Sequence, residues 1–245
     1  MNSFTRVLFE ILLIAGFLGV SVYTVLSIHG YKYDIEQNDF EKTSIIDIGG
    51  EVSGAVVFID GVKQDKTLPF AIRDIEPGLH YIVIQKPNFI VYRASVFVET
   101  DLVTKIDSIV LMPEKVVFTL IKPDEIIDEK LFIPFDPEGL SPKGGKIIYM
   151  KNREMWSRDL ASGTEKFISR FSMPVYNVKF FADDYHVMFA ASDMLNFCDQ
   201  LMQNCYSLRK FSEGDNFASS EEKIYFKEKS SGKILVLDLS QNALK

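Results

Sequence analysis

Two cysteines are the clearest candidates for covalent chemistry in this chain. Six residues separate Cys198 from Cys205, and this spacing suits a disulfide across the mouth of a hairpin loop, with free thiols as the alternative. A metal site would need further ligands, yet His29, His80 and His186 show no ligand-like spacing to the cysteines. We therefore predict a disulfide in an oxidising compartment, with no residues for metal binding.

Sequence motifs of common enzymes are missing. The chain has no Gly-x-Ser-x-Gly elbow, no glycine-rich phosphate loop and no His-Glu-x-x-His helix. The Asp183-Asp184 pair falls in a predicted turn, and the acidic pairs Asp124-Glu125 and Asp128-Glu129 lack the spacing of a calcium loop. Carboxylates that meet only in space would leave glycoside hydrolysis as a minor alternative. We predict no catalytic and no cofactor-binding residues.

The net charge of the chain limits the classes of partner. It is −7 over 245 residues, without clusters of Lys and Arg. Such an acidic surface argues against binding to nucleic acid and to anionic lipid headgroups in general. A neutral, cationic or polysaccharide partner stays open.

One apolar run near the amino terminus predicts that the protein is attached to a membrane. Val7 to Ile28 is apolar except for Glu10 and a few small or amphipathic positions. At about 1.5 Å per residue, a helix of this length crosses the roughly 30 Å hydrocarbon core of a bilayer. We predict a cytoplasmic tail and transmembrane helix over residues 1–29, followed by a juxtamembrane linker over residues 30–44.

The charges that flank the span predict its orientation. Arg6 precedes it, whereas an acidic stretch with Asp34, Glu36, Asp39 and Glu41 follows it. Because positive flanks stay in the cytoplasm, we predict a single-pass cell-membrane protein with its carboxyl-terminal domains outside. A cleaved secretory signal is the alternative, and it exports the same domains.

Residues 45–121 read as a small all-β module. Short β-branched and aromatic runs alternate with turn signals such as Asp60-Gly61 and Glu76-Pro77-Gly78. About six strands in so short a segment suggest a β-sandwich. The run Val116–Ile121 either finishes this module or begins the next one.

The order of these turns resembles the PEGA domain over residues 52–113. The resemblance rests on the Asp-Gly turn, Leu68-Pro69, Pro77-Gly78-Leu-His80, a Lys-x-x-Phe turn and the closing Leu111-Met-Pro113. Asn88 stands where the family has a turn glycine, and Asn tolerates the same left-handed backbone. The resemblance implies an extracytoplasmic sandwich on an anchored envelope protein, without catalysis.

The rest of the chain repeats itself after a proline-rich linker at residues 122–140. In residues 141–245, Tyr149, Phe189 and Tyr225 each lie in a strand and recur at intervals close to 40 residues. This period, with paired strands in each unit, is typical of β-propeller blades. Leu140–Tyr149 and Trp156–Gly163 resemble blades of bacterial propellers of the translocation-protein type.

Only about two and a half blades fit, whereas a closed propeller generally needs at least four. The segment is therefore predicted to be a shortened, incomplete propeller-like domain, a domain that pairs unpaired β edges with another subunit, or an independent antiparallel sheet. Trp156 is predicted to pack between neighbouring hairpins rather than to serve as a ligand platform. The aromatic residues Phe180, Phe181, Tyr185 and Phe189 are likewise predicted to be core rather than a binding patch.

Together these patterns predict an all-β protein with one transmembrane helix, a PEGA-like sandwich and a blade-like antiparallel domain. The predicted function is non-catalytic binding or scaffolding in the cell envelope, with a protein or polysaccharide partner. The alternatives are a subunit of a larger envelope or secretion assembly completed by strand exchange, and a carbohydrate-active hydrolase.

Overall fold

A computed structural model describes residues 3–34, 38–50, 52–106, 108–121, 127, 132 and 138–240. Over these residues the chain forms one helix, α1 (Ser3–Ile28), and short β-strands. The strands are β1 (Tyr31–Asp34), β2 (Asp39–Lys42), β3 (Ser44–Ile48), β4 (Val56–Ile59), β5 (Val62–Lys63), β6 (Phe70–Ile75), β7 (Gly78–Gln85), β8 (Tyr92–Val98), β9 (Val103–Ile106), β10 (Thr119–Leu120), β11 (Glu138–Leu140), β12 (Lys146–Lys151), β13 (Glu154–Asp159), β14 (Glu165–Arg170), β15 (Val175–Phe180), β16 (His186–Ala191), β17 (Met194–Asp199), β18 (Cys205–Lys210), β19 (Asn216–Ser220), β20 (Lys223–Lys227) and β21 (Ile234–Asp238).

The chain forms two compact units. The first contains Met1–Ile48, Phe70–His80 and Ser95–Ile106; the second contains Gly49–Pro69, Tyr81–Ala94 and Asp107–Lys245. Strands β7 and β8 run from one unit into the other, so the PEGA-like segment contributes residues to both.

Helix α1 coincides with the predicted span. Its stretch Arg6–Ile28 is long and apolar enough to cross a membrane, and none of it is buried against the rest of the chain. The predicted exception in the run, Glu10, accepts a hydrogen bond from Arg6 one turn earlier. The helix ends at Ile28, and Gly30 has a φ of +78°, the left-handed conformation common just after a helix terminus.

The first unit holds the hairpin of β1 and β2 and the sheet β6-β3-β9. Strand β3 pairs with β6 in antiparallel fashion but with β9 in parallel. A β-bulge interrupts the β3–β6 pairing, because Arg73 and Asp74 together lie opposite Ile45. The buried side chains of β3 are Ser44, Ile46 and Ile48.

The sheet β5-β4-β7-β8 shows the predicted turn chemistry. Asp60 and Gly61 both have positive φ, at +49° and +79°, and connect β4 to β5 as a tight hairpin. Asn88 also has a positive φ, at +67°. The resemblance placed a glycine-like turn at that position, and the asparagine provides it.

Three four-stranded antiparallel sheets follow in the second unit. We call them blade A (β11-β12-β13-β14), blade B (β15-β16-β17-β18) and blade C (β19-β20-β21-β10). Tyr149, Phe189 and Tyr225 lie in β12, β16 and β20, the second strand of each blade. The repeat read from the sequence therefore marks real blades.

Blade C corrects the estimate of two and a half blades. Its fourth strand is β10, which pairs with β21 through Thr119 and Leu120. The alternative that Val116–Ile121 begins the blade-like module is thus the one that the strand pairing favours. Each blade in the described chain has four strands, so no strand from another subunit is needed to fill it.

Two apolar clusters hold the blades together. One joins blades B and C, with Met188, Phe197, Phe217 and Phe226 almost fully buried, and it also contains Met112 from the end of the PEGA-like segment. The other joins blades A and B around Ile148, Met155 and Phe180. Phe180, Phe181 and Phe189 are buried, in agreement with their predicted core role, whereas Tyr185 is only half-buried.

Candidate binding site in the blade domain

A cleft of about 720 Å³ opens beside blade B. It is lined by the entry to β15, by the turn between β16 and β17, and by the loop that leads into β19. Its volume is that of a small-molecule or side-chain binding pocket. We call it the blade cleft; its lining residues are Met173, Pro174, Tyr176, Asn177, Ala190, Ala191, Ser192, Asp193, Phe211, Glu213 and Gly214.

Local backbone features place polar groups in this lining. Ser192 and Asp193 both have positive φ and form the two-residue turn between β16 and β17. Asn177 has a positive φ of +51° at an irregularity in the β15–β16 pairing. Such irregularities redirect side chains at the margins of sheets. The wall is fixed because the carbonyl oxygen of Asp193 accepts the N–H of Phe211 at 2.8 Å.

The next loop is held by a buried carboxylate. Asp215 accepts hydrogen bonds from the backbone N–H groups of Ser212 and Lys229, at 2.8 and 2.9 Å. Gly214 precedes it with a φ of +90°, a conformation that few side chains adopt. These contacts position Glu213 at the cleft without using its own carboxylate.

The cleft combines apolar walls with negative charge. Phe211, Ala190 and Ala191 are buried and form its floor, whereas Tyr176 is 60% exposed. Asp193 and Glu213 are the charged residues of the lining, and both are acidic. Two carboxylates beside an aromatic ring are suited to an ammonium or guanidinium group, through ion pairing and cation–π contact.

A network at the far end of β17 connects the blade domain to the PEGA-like segment. Asn204 donates to the carbonyl oxygen of Arg93 at 2.9 Å and accepts its N–H at 3.1 Å. The same side chain donates to Asp199 at 2.8 Å. Asp199 is buried and also accepts the backbone N–H groups of Gln203 and Asn204. This network gives the second unit a fixed joint between β8 and blade B.

The two cysteines flank this network. Cys198 and Cys205 face each other across β17 and β18 and form a disulfide, with a Cα–Cα distance of 4.2 Å. Cys198 is 1% exposed. The disulfide closes the loop that carries Asp199 and Asn204.

Buried tyrosines surround the same joint. Burial, followed by the charge of Asp199, raises the pKa of Tyr206 to about 12. Burial also raises the pKa of Tyr92, well above its ordinary value. Among the described residues, none forms a hydrogen bond with the buried Tyr206 hydroxyl. These phenols are packing groups that stay neutral over the physiological range.

Lys179 is the cation with the most altered environment. Burial lowers its pKa to about 8. Its Nζ donates to the carbonyl oxygen of Phe217 at 2.8 Å and lies 5.6 Å from the centre of the Phe217 ring. It therefore joins the inner strands of blades B and C.

Two residues singled out in the sequence, Asp183 and Trp156, form side-chain hydrogen bonds in the structure. Asp183 follows β15 and accepts the backbone N–H groups of Tyr185 and His186, while its other oxygen lies 2.6 Å from Nδ1 of His186. Burial opposes the charge of Asp183, but the contacts with His186 outweigh it and lower the pKa of Asp183. Trp156 packs edge-to-face on Phe167 and donates to Glu154.

Other candidates do not come together. Asp124-Glu125 and Asp128-Glu129 lie outside the described residues. Over the described part of the chain, no three His, Cys, Asp or Glu side chains are grouped to hold a metal ion. The lining of the blade cleft was missed at the sequence level. The only local signal for it was the Ser192-Asp193 dipeptide, which is typical of a turn.

Comparison with known proteins identifies the first module. Residues 43–114 match the model of the PEGA domain. A comparison with curated proteins finds no match to the sequence.

Solved propeller structures are similar to most of the chain at low identity. A putative TolB from Agrobacterium tumefaciens is 15% identical over 61% of this chain, with a TM-score of 0.31. TolB from Acinetobacter baumannii is 11% identical over 78%, with a TM-score of 0.33. The β-propeller domain of the Trilobed protease from Pyrococcus furiosus, described as having an open velcro topology, is 12% identical over 80%, with a TM-score of 0.30.

The matched lengths set the limits of this similarity. The chain spans about half of each of these structures, at 50%, 51% and 55% of their lengths. Residues 43–114 thus match the PEGA domain model, and three four-stranded antiparallel sheets arranged as propeller-like blades follow in the chain.

Proposed function

We propose that this chain is a membrane-anchored, non-catalytic binding protein of the cell envelope, whose blade cleft holds a basic segment of a partner protein. The observation that carries the proposal is that Asp193, Glu213 and the exposed Tyr176 line one cleft, and that its lining contains no cationic residue. Lysine or arginine side chains are complementary to this lining in both charge and shape.

Helix α1 supports the anchoring part of the proposal. None of its span is buried against the rest of the chain, so this apolar surface does not contribute to the core of the protein. Arg6 lies at the amino-terminal end of the span, where a positive charge fits a cytoplasmic flank. The PEGA and blade domains then lie outside the membrane, where the Cys198–Cys205 disulfide is stable.

The joint at Asn204 supports a display role. It fastens blade B to β8 of the PEGA domain through two backbone hydrogen bonds. A cleft on a domain held in this way keeps a defined position relative to β8. The four strands of each described blade leave no blade to be filled by a strand from a partner, which supports a binding domain over one finished by strand exchange.

Binding of a fluorescent oligolysine peptide to the full chain in phosphatidylcholine nanodiscs tests the cleft. We expect the double variant Asp193→Asn and Glu213→Gln to bind about three- to tenfold more weakly, since each partly exposed ion pair contributes modestly. The control variant Asp65→Asn and Glu114→Gln removes the same charge elsewhere and should change binding less than about twofold.

If both double variants lost the same amount of affinity for oligolysine, the binding would come from general charge attraction. That result would contradict a specific site. Selective binding of a neutral polysaccharide, with no binding of oligolysine, would also overturn the proposed partner. For the topology, a reporter fused after Lys245 should be active outside the cytoplasm. Activity confined to the cytoplasm would refute the proposed orientation.

A further inference from the structure

A second cleft, of about 250 Å³, lies where α1 meets the first unit. It is lined by the last helical residues and the turn after them, and by parts of β3, β6 and β9. We call it the helix-exit cleft; its lining residues are Ser27, Ile28, His29, Gly30, Thr43, Ser44, Ile45, Arg73, Asp74, Asp101, Leu102 and Val103.

The end of α1 is fixed to this cleft. Thr43 donates to the carbonyl oxygen of Gly30 twice, from its N–H at 2.8 Å and from its hydroxyl at 2.9 Å. Ser44 is buried and donates to the carbonyl oxygen of Glu99 at 2.6 Å. The helix and the sheet β6-β3-β9 therefore hold the cleft in a defined geometry.

The length of the helix sets the depth of the cleft in a bilayer. The stretch Arg6–Ile28 has 23 residues, which corresponds to roughly 34 Å of helix, against a hydrocarbon core of roughly 30 Å. With this stretch in the membrane, Ile28 reaches the edge of the core. The cleft beyond it lies at the level of the lipid headgroups.

The bulge in β6 brings opposite charges into one lining. Neighbouring residues of a regular strand point to opposite faces. At this bulge, however, Arg73 and Asp74 together lie opposite Ile45, and Asp74 has a φ of +62°. Both residues consequently line the same cleft. A left-handed aspartate is an uncommon conformation that costs free energy, and it is used here to present two charges side by side.

The charged residues of the lining differ in whether they already have an ion-pair partner. Asp101 forms an ion pair with Lys42 at 2.6 Å, and this contact raises the pKa of Lys42. Neither Arg73 nor Asp74 forms an ion pair with a described residue, and the Asp74 carboxylate accepts one long hydrogen bond from the Thr43 hydroxyl, at 3.5 Å. The cleft thus offers one cation and one anion to a ligand.

We propose that the helix-exit cleft binds the zwitterionic headgroup of a phosphatidylethanolamine lipid. Arg73 donates paired N–H groups to the phosphate, and the Asp74 carboxylate accepts an N–H of the primary ammonium. Leu102 and Val103, each 52% exposed, lie beside these charges and contact the lipid at the start of its acyl chains. This inference rests on the proposed membrane anchoring and adds a lipid class to it.

Native mass spectrometry tests the proposal. The full chain is released from nanodiscs that contain equal amounts of phosphatidylethanolamine, phosphatidylglycerol and phosphatidylcholine, and its retained lipid is counted. We expect phosphatidylethanolamine to be retained about three- to tenfold over each of the others. Phosphatidylglycerol lacks the ammonium, and the ammonium of phosphatidylcholine has no N–H to donate.

Two variants separate the roles of the paired charges. Arg73→Gln should lower retention of both phosphatidylethanolamine and phosphatidylglycerol. Asp74→Asn keeps a residue that tolerates positive φ and should abolish the preference for phosphatidylethanolamine over phosphatidylglycerol. The matched controls Lys63→Gln and Asp65→Asn, both exposed outside the cleft, should retain the wild-type pattern.

Several results would overturn the proposal. Equal retention of the three lipids by the wild-type chain is one, and unchanged selectivity in both cleft variants is another. Binding of soluble phosphoethanolamine in phosphatidylcholine nanodiscs, without enrichment of the lipid, would assign the cleft to a free phosphate ester. Flotation on a density gradient distinguishes failure of the proposed membrane anchoring from failure of the proposed headgroup site. A chain that does not float refutes the anchoring as well, whereas a chain that floats without lipid selectivity refutes only the headgroup site.

Discussion

Replacement of Asn204 by alanine should loosen the joint between the PEGA domain and blade B. The side chain of Asn204 is buried and makes three hydrogen bonds, two to the backbone of Arg93 and one to Asp199. Asp199 keeps its two backbone donors after the substitution, so the loss falls mainly on the backbone groups of Arg93.

The size of the effect follows from these contacts. Each neutral hydrogen bond contributes about 1 kcal/mol, and the bond to the carboxylate about 2 kcal/mol. Arg93 is exposed, so water replaces part of what is lost. We therefore expect the free energy of unfolding to fall by about 2–3 kcal/mol. For a chain of this size, Tm falls by about 5–10 °C.

The fluorescence of Trp156, the only tryptophan, reports unfolding of the blade domain in the full chain reconstituted in nanodiscs. Asn196→Ala is the matched control, because Asn196 lies in the same blade and its bonds stay within β16–β18. Hydrogen exchange at the Arg93 amide should accelerate in Asn204→Ala but not in the control. A Tm equal to that of the control, with Arg93 exchange unchanged, would refute the joint.

Three further outcomes are expected from the same chain. Cys198→Ser with Cys205→Ser should lower the free energy of unfolding by about 2.5 kcal/mol from the short loop that the disulfide closes, and a reducing agent should then have no further effect; a variant as stable as the oxidised wild type would contradict this. Because burial disfavours the charged form of Lys179, the folded chain releases this proton at about pH 8 and the unfolded chain only above pH 10, so stability should rise by about 1 kcal/mol from pH 7 to 9; urea unfolding of Lys179→Met should lack that rise. The lowered pKa of Asp183 contributes stability above about pH 4 that is lost as the pH falls through the folded value, and Asp183→Asn should unfold in acid with a flatter pH dependence; identical acid profiles would remove the role assigned to its contact with His186.

Local chemistry made much of the fold predictable. Asp60-Gly61 and Asn88 are turn residues whose backbone preferences act within a few positions, and the structure uses them as predicted. The positions of Tyr149, Phe189 and Tyr225 also revealed the blade period, because each blade buries the same strand. Patterns of this kind depend on short-range sterics and on repeated burial.

The pairing of strands that lie far apart in the sequence could not be predicted in this way. Strand β10 has two residues, and Thr119 meets Val236 at a separation of 117 positions. No periodicity marks so short a strand, so blade C looked incomplete. The two clefts could not be predicted either, because their lining residues are also far apart in the sequence. Asp193 and Glu213, like Arg73 and His29, come together only through turns and a bulge that the sequence does not specify by pattern.

The placement of β10 also has a consequence for biosynthesis. This strand is synthesised before any other strand of the three blades, whereas its partner β21 is the last of those strands along the chain. Blade C therefore stays unfinished until Ile234–Asp238 has been synthesised, after all the strands of blades A and B. A nascent polypeptide arrested before Ile234 would display an open strand edge, which can pair with the edge of another chain and aggregate.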